Sequence, residues 1–243
     1  TARAQAPGRL PGPPEGDPSF NLHVHTYCSD GADSPETVVK LAKAQGIRVI
    51  AITDHDSIDC VREAQAAGMR AGVMVIPGVE LGVSGSMHML GLGVDPDQAA
   101  LKASLAEDRD YRVRRTREVV DNLNKLQTER GPVKITMREV LEERLKIELA
   151  ATGRMRAMSV VQASDEASLL HALRGTLTRP DVARVLVKKG YAKTGQQAFD
   201  LYLTRPEVQK RANAEDSQPG EGGGKPDFRA TIKAIHDAGG IAI

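Results

Sequence analysis

The chain has 243 residues, enough for one large α/β domain or two small ones, and its 40% apolar content is that of an ordinary folded protein. Lys and Arg (33) balance Asp and Glu (32), so no global field advertises a long nucleic acid or an anionic membrane as partner. Three Phe, four Tyr and no Trp argue against an extended base-stacking platform, and no apolar run is long enough to span a bilayer.

Residues 1–19, rich in Pro and Gly and without periodicity, read as a flexible leader. "FNLHVH" (20–25) then reads as a strand. "SPETVVKLAKAQG" (34–46) reads as a helix opened by Ser34 and stopped by Gly46, and the β-branched run "IRVIAITDHD" (47–56) as a second strand. "DCVREAQAAGMRAG" (59–72) supplies another helix, and "VMVIPGVEL" (73–81) and "MHMLGLGVD" (87–95) two more strands. Strands alternating with helices imply a largely parallel sheet of βαβ units over residues 20–100. From Leu101 the sequence turns charged and helical, with few β-branched runs, so residues 101–214 read as a helical insertion. "AEDSQPGEGGGKPD" (214–227) is a polar Gly-rich loop, after which "FRATIKAIHDAGG" (228–240) and "IAI" return to the α/β pattern over 215–243.

The strand ends carry the chemistry. His23 and His25 stand at i, i+2, so one short strand presents both imidazoles on one face. Asp30 follows on a turn freed by Gly31, and His55 ends the second strand between Asp54 and Asp56, two carboxylates placed to orient its ring. Glu80 ends the third strand with two oxygens able to bridge two cations, and His88 enters on the next. Mixed imidazole and carboxylate donors suit Zn²⁺, Mn²⁺ or Fe²⁺ better than Ca²⁺ or Mg²⁺. Each motif alone has a plainer reading as a turn, a helix cap or a surface residue; it is their recurrence at successive strand ends that points to metal. Cys28 and Cys60 form no CxxC pair or disulfide framework and read as small buried thiols in a reducing, cytoplasmic setting. His171 and His236 sit on helical segments without ligand spacing and read as surface residues.

"HVHTYCSDG", "AITDHDSID", "IPGVEL" and "HMLGLGVD", in this order and spacing, resemble the polymerase and histidinol phosphatase (PHP) family of metal-dependent phosphoesterases. "RPDVARVLVKKGYAKTGQQAFDLYLTR" and "IKAIHDAGGIAI" resemble more weakly the subgroup that dephosphorylates nucleoside bisphosphates and trims short oligoribonucleotides. The resemblance implies a distorted seven-stranded β/α barrel with a helical insertion, its C-terminal strands missing from this sequence. It implies up to three divalent ions, one on His23, His25 and Glu80, a second on Glu80 and His88, a third on Asp30 and His55, with a metal-held hydroxide as nucleophile. Small nucleotides (nucleoside 3′,5′-bisphosphates) or short oligonucleotides are the implied substrates. Arg112, Arg115 and Arg205 match phosphate-facing basic positions, although "YRVRRTRE" also reads as a solvated helix face. Two departures stand out. The histidine after "GGIAI" and the later Asp-x-His are absent, so each ion lacks one ligand and the chain as given is expected to be poorly active; Asp181 stands where relatives commonly carry His and would repel phosphate. The alternative implied is a degenerate, inactive metal-binding or regulatory domain.

Overall fold

A computed structural model describes residues 19–83, 87–128, 131–210 and 227–243. Apart from Ser19 and Asp227, the leader and the polar loop expected from the sequence lie outside these residues.

Strand β1 (Phe20–Val24) leads into helix α1 (Pro35–Ala44), strand β2 (Val49–Ile52), helix α2 (Val61–Ala71) and strand β3 (Met74–Val83). Ser34 caps α1 by accepting from the Thr37 N–H, and Gly72, in the left-handed region at φ 74°, closes α2. β1, β2 and β3 pair in parallel, as two successive βαβ units require. The apolar faces of α1 and α2 close over β2 and the start of β3, with Val39, Ile50, Ile52, Val61 and Val75 in the core.

The largely parallel sheet expected from the strand–helix alternation does not continue. β4 (Met87–Leu92) pairs antiparallel with β3, and β7 (Ile241–Ala242) antiparallel with β4, giving a mixed sheet of order β1-β2-β3-β4-β7. Three residues between Val83 and Met87 are too few for a parallel crossover.

Between β4 and β7 lie α3 (Ala99–Asn124), the short pair β5 (Gln127–Thr128) and β6 (Gly131–Pro132), α4 (Met137–Ala151), α5 (Met158–Ala163), α6 (Glu166–Ala172), α7 (Arg179–Lys188), α8 (Gly195–Ala198), α9 (Pro206–Gln209) and α10 (Phe228–Asp237). Thr136 with Glu139, and Thr178 with Asp181, form capping boxes that start α4 and α7. The second half of α3 packs with α4, α6 and α7 around their own core, which includes Leu123, Val140, Leu141, Leu169 and Leu186. α10 and the start of α3 instead cover β3 and β4 through Ile235, Leu101 and Leu105. Among the described residues no helix is long and apolar enough to cross a membrane.

Candidate metal centre

Backbone pairing builds the site. The Asp54 carbonyl accepts from the Glu80 N–H (3.1 Å) and the Glu80 carbonyl from the Asp56 N–H (2.9 Å), which fixes His55 beside Glu80. His88 sits opposite Gly82 in the β3–β4 hairpin, diagonal to Glu80 on the same face, and Gly82 puts no side chain between them. Glu80 Oε2 consequently lies 3.0 Å from His23 Nε2, 3.1 Å from His25 Nε2 and 3.3 Å from His55 Nδ1, while its Oε1 lies 2.8 Å from His88 Nδ1. One buried carboxylate thus faces four imidazoles with both oxygens.

Asp30 closes the other side, its two oxygens 3.0 Å from His25 Nδ1 and 3.6 Å from His55 Nε2. The turn that returns Asp30 to His25 needs Gly31, where a Cβ would come within 2.7 Å of the His25 carbonyl oxygen. All six sequence-derived donors therefore converge, in three overlapping triads: His23–His25–Glu80, His25–Asp30–His55 and His55–Glu80–His88.

This donor set fits divalent transition metals. Burial opposes charge on His25, yet the hydrogen bonds and charges of Asp30 and Glu80 raise it to about 10. Burial likewise opposes ionisation of Asp30 and Glu80, but the facing imidazoles hold both well below the usual carboxylate range. The cluster demands positive charge, which a proton or a metal ion supplies. His55 Nδ1, 3.3 Å from Glu80 Oε2, is buried without a hydrogen-bond partner, an orphaned polar atom that a metal ion at this position would satisfy.

The neighbouring carboxylates do not orient His55 as the sequence suggested. Asp54 turns the other way, accepting from Thr26 N and Thr26 Oγ1 (2.7 Å each) and from Ser29 Oγ (2.6 Å). Ser29 Oγ also lies 3.1 Å from His25 Nδ1, so Asp54 steadies His25 through a serine the sequence reading passed over. Burial pushes the Asp54 carboxyl up against these bonds. Asp56, at φ 43°, accepts from Gly82 N (2.9 Å) and Arg112 Nε (2.5 Å), a strut from the hairpin to α3. Asp enters the left-handed region more readily than most residues, and these two long-range bonds hold Asp56 there.

Two further expectations are corrected. Cys28 and Cys60 are buried, as read, but they are joined in a disulfide with Cα atoms 6.0 Å apart, because the first turn of α2 lies against the loop after β1. Their sulfurs are therefore unavailable as thiolates beside Asp54, and they give no argument for a reducing compartment. Asp181 does not confront phosphate: it is fully buried at the start of α7, accepting from Thr178 N (2.8 Å) and Thr178 Oγ1 (2.9 Å) and pairing with Arg184 (2.9 Å). His171 and His236 are exposed.

The arginines separate. Arg112 reaches the site's edge through Asp56 and also donates to the Leu177 carbonyl (3.4 Å). Arg115 bonds Glu118 and the Gln209 carbonyl, and Arg205 bonds the Leu201 carbonyl and faces Glu207 at 3.5 Å, so these two are tied to the 201–210 segment rather than to the six donors. Arg144, wholly buried on α4, donates to the carbonyls of Tyr27 and Arg174. A signal for it was present: Arg144 and Glu148 fall on the buried stripe of Val140, Leu141, Leu145 and Leu149, where helical spacing calls for apolar residues.

Comparison with known proteins shows the family. Residues 21–177 match the PHP domain model, and the chain belongs to that family. Over 227 residues it is 30% identical to a 5′-3′ exoribonuclease of Haemophilus influenzae, covering 92% of this chain and 67% of that protein. Over 104 residues it is 39% identical to a 3′,5′-nucleoside bisphosphate phosphatase of Chromobacterium violaceum, covering 42% of this chain and 36% of the relative. Among solved structures, an amidohydrolase from Chromobacterium violaceum with bound sulfate and no metal superposes with a TM-score of 0.66 at 27% identity, covering 92% of this chain and 65% of that one. A protein from Bifidobacterium adolescentis described as a candidate metal-dependent phosphoesterase gives 0.65 at 26% identity, covering 96% of this chain and 67% of that one. The fold is thus the α/β PHP fold, and the chain spans at most about two thirds of the length of these relatives.

Proposed function

We propose that the protein carrying this chain is a metal-dependent phosphoesterase that hydrolyses small nucleotides, such as nucleoside 3′,5′-bisphosphates, or short oligonucleotides. The observation that carries this reading is Glu80, whose two oxygens face four imidazoles within 3.3 Å. His23, His25 and Glu80 would hold one ion, Glu80 and His88 with His55 a second, Asp30 and His55 with His25 a third; Mn²⁺, Zn²⁺ and Fe²⁺ suit the donors. Bound there, divalent ions supply Lewis-acid polarisation of phosphoryl oxygens and of water. The chain's own residues set the geometry: Glu80 spans two of the triads, Asp54 through Ser29 fixes the His25 ring, and Asp56 fixes the hairpin that carries His88. No side-chain nucleophile is needed. Arg112, bonded to Asp56 beside the donors, would meet a substrate phosphate, and Arg115 and Arg205, bonded to the Gln209 and Leu201 carbonyls, would be further phosphate-binding residues. The relatives named for nuclease and phosphatase activity favour this reading over a degenerate domain.

The test is phosphate release from a nucleoside 3′,5′-bisphosphate and from a short oligoribonucleotide, by protein stripped with chelator and then reloaded with Mn²⁺ or Zn²⁺. Release that appears only on reloading, and is lost in Glu80→Ala, is the expected result. Metal-independent release, or none on any substrate by the full-length protein, overturns it.

A further inference from the structure

Asp30 sits on a loop whose outer edge is gripped by the helical segment. Three of its carbonyls accept from that segment: Tyr27 from Arg144 Nη2, Cys28 from the Thr176 N–H (3.0 Å) and Asp30 from Arg184 Nη2 (3.2 Å). The approach is close enough to require Gly175 at φ 71°, since a Cβ there would overlap the Cys28 carbonyl oxygen. On its inner edge the same loop is tied to Asp54 through Thr26 and Ser29. Arg184 is itself held by the buried Asp181, which the Thr178 capping box fixes in place. A chain of contacts therefore runs from the core of the α7 N-terminus to the backbone of a metal-facing carboxylate.

We propose that Asp181 and Arg184 are positioning residues: together with Arg144 and Thr176 they clamp the 27–30 loop so that Asp30 is preset for the ion it shares with His25 and His55. The clamp gives the helical segment a task at the metal centre distinct from any contact with substrate, and gives Asp181 a use other than the repulsion of phosphate expected from the sequence. Only the backbone of Asp30 is gripped, so its carboxylate stays turned to the imidazoles at 3.0 and 3.6 Å. Loss of the grip lets that oxygen pair wander while the His23–Glu80–His88 side, built on paired strands, keeps its shape.

The proposal rests on the metal-site reading, and the experiment separates the two. Wild-type protein, Arg184→Met, Arg184→Lys and Arg109→Met are stripped and titrated with Co²⁺, following the number of ions bound, their affinities and the visible ligand-field spectrum. Arg144 is wholly buried and its variants risk unfolding, whereas Arg184 is partly exposed; Arg109 bonds the carbonyls of Leu170 and Leu173 within the helical segment and serves as the structural control. Arg184→Met should weaken one ion by about 10- to 100-fold and change its spectrum, leaving the tightest ion unaltered. Arg184→Lys should recover most of that loss, and Arg109→Met should lower Tm without touching the cobalt count. Unchanged stoichiometry, affinity and spectrum in Arg184→Met overturn the clamp, as does an equal loss in Arg109→Met. A wild-type protein that binds no cobalt overturns the metal site itself and the clamp with it.

Discussion

Residues 20–95 and residues 99–209 bury their apolar side chains to different ends. The first segment divides its buried apolar residues among three modest clusters, one on the start of β3, one on its end shared with α3 and α10, and a small one around Cys28 and Cys60, and spends its strand ends on donors; every group of metal-capable side chains among the described residues lies between His23 and His88. The helical segment gathers most of its buried residues into one larger cluster and contributes no donor, yet its arginines reach across to the carbonyls of the donor loop. Chemistry is concentrated where strands end, because paired backbones hold imidazoles at fixed spacing, and rigidity is borrowed from a helical core that can grip a loop the sheet leaves unpaired.

The sharpest way to break this contrast is Glu80→Gln. Removing the charge of the shared carboxylate should weaken metal binding by about 100-fold or more, read by equilibrium dialysis with Zn²⁺, because two of the triads contain it. Retained affinity would show that the two triads do not depend on a common ligand. Leu123→Ala addresses the opposite region. It deletes a fully buried side chain of the helical core and should cost about 2–5 kcal/mol in urea unfolding, with metal content unchanged under native conditions. Metal lost from the folded variant would erase the division between the segments.

The disulfide sharpens the comparison within the strand-end segment. Replacing Cys28 and Cys60 by Ser should lower stability by about 2–4 kcal/mol, and Ellman titration of the unreduced, denatured parent should find no free thiol. Two reactive thiols would contradict the pairing. A further effect is one of pH. In chelator-treated protein His25 is raised from 6.5 to about 10, so its contribution is fully present below pH 6.5 and is lost as pH rises toward 10. Tm of the stripped protein should therefore fall across that window, and His25→Asn should flatten the slope. A parent profile that is level or rising there removes His25 from the account.

Local pattern alone determined much of this protein. Ser34 and Gly46 bounded α1, β-branched runs located β2 and β3, and the spacing His23-x-His25 put two imidazoles on one face, because side-chain direction follows from backbone period without reference to distant residues. The ordered recurrence of His, Asp and Glu at strand ends likewise made the donor cluster legible in the sequence. Tertiary structure decided the rest. That β4 turns back antiparallel, that Cys28 meets Cys60 across 32 residues, and that Asp54 faces Ser29 rather than His55 each depend on which segments the folded chain brings together. Arg144 and Arg184 carry the same lesson. A charge in a helical stripe reads as an oddity or a solvated face until the loop it grips, more than a hundred residues earlier, is packed against it, since a backbone carbonyl in need of a donor leaves no mark on the sequence.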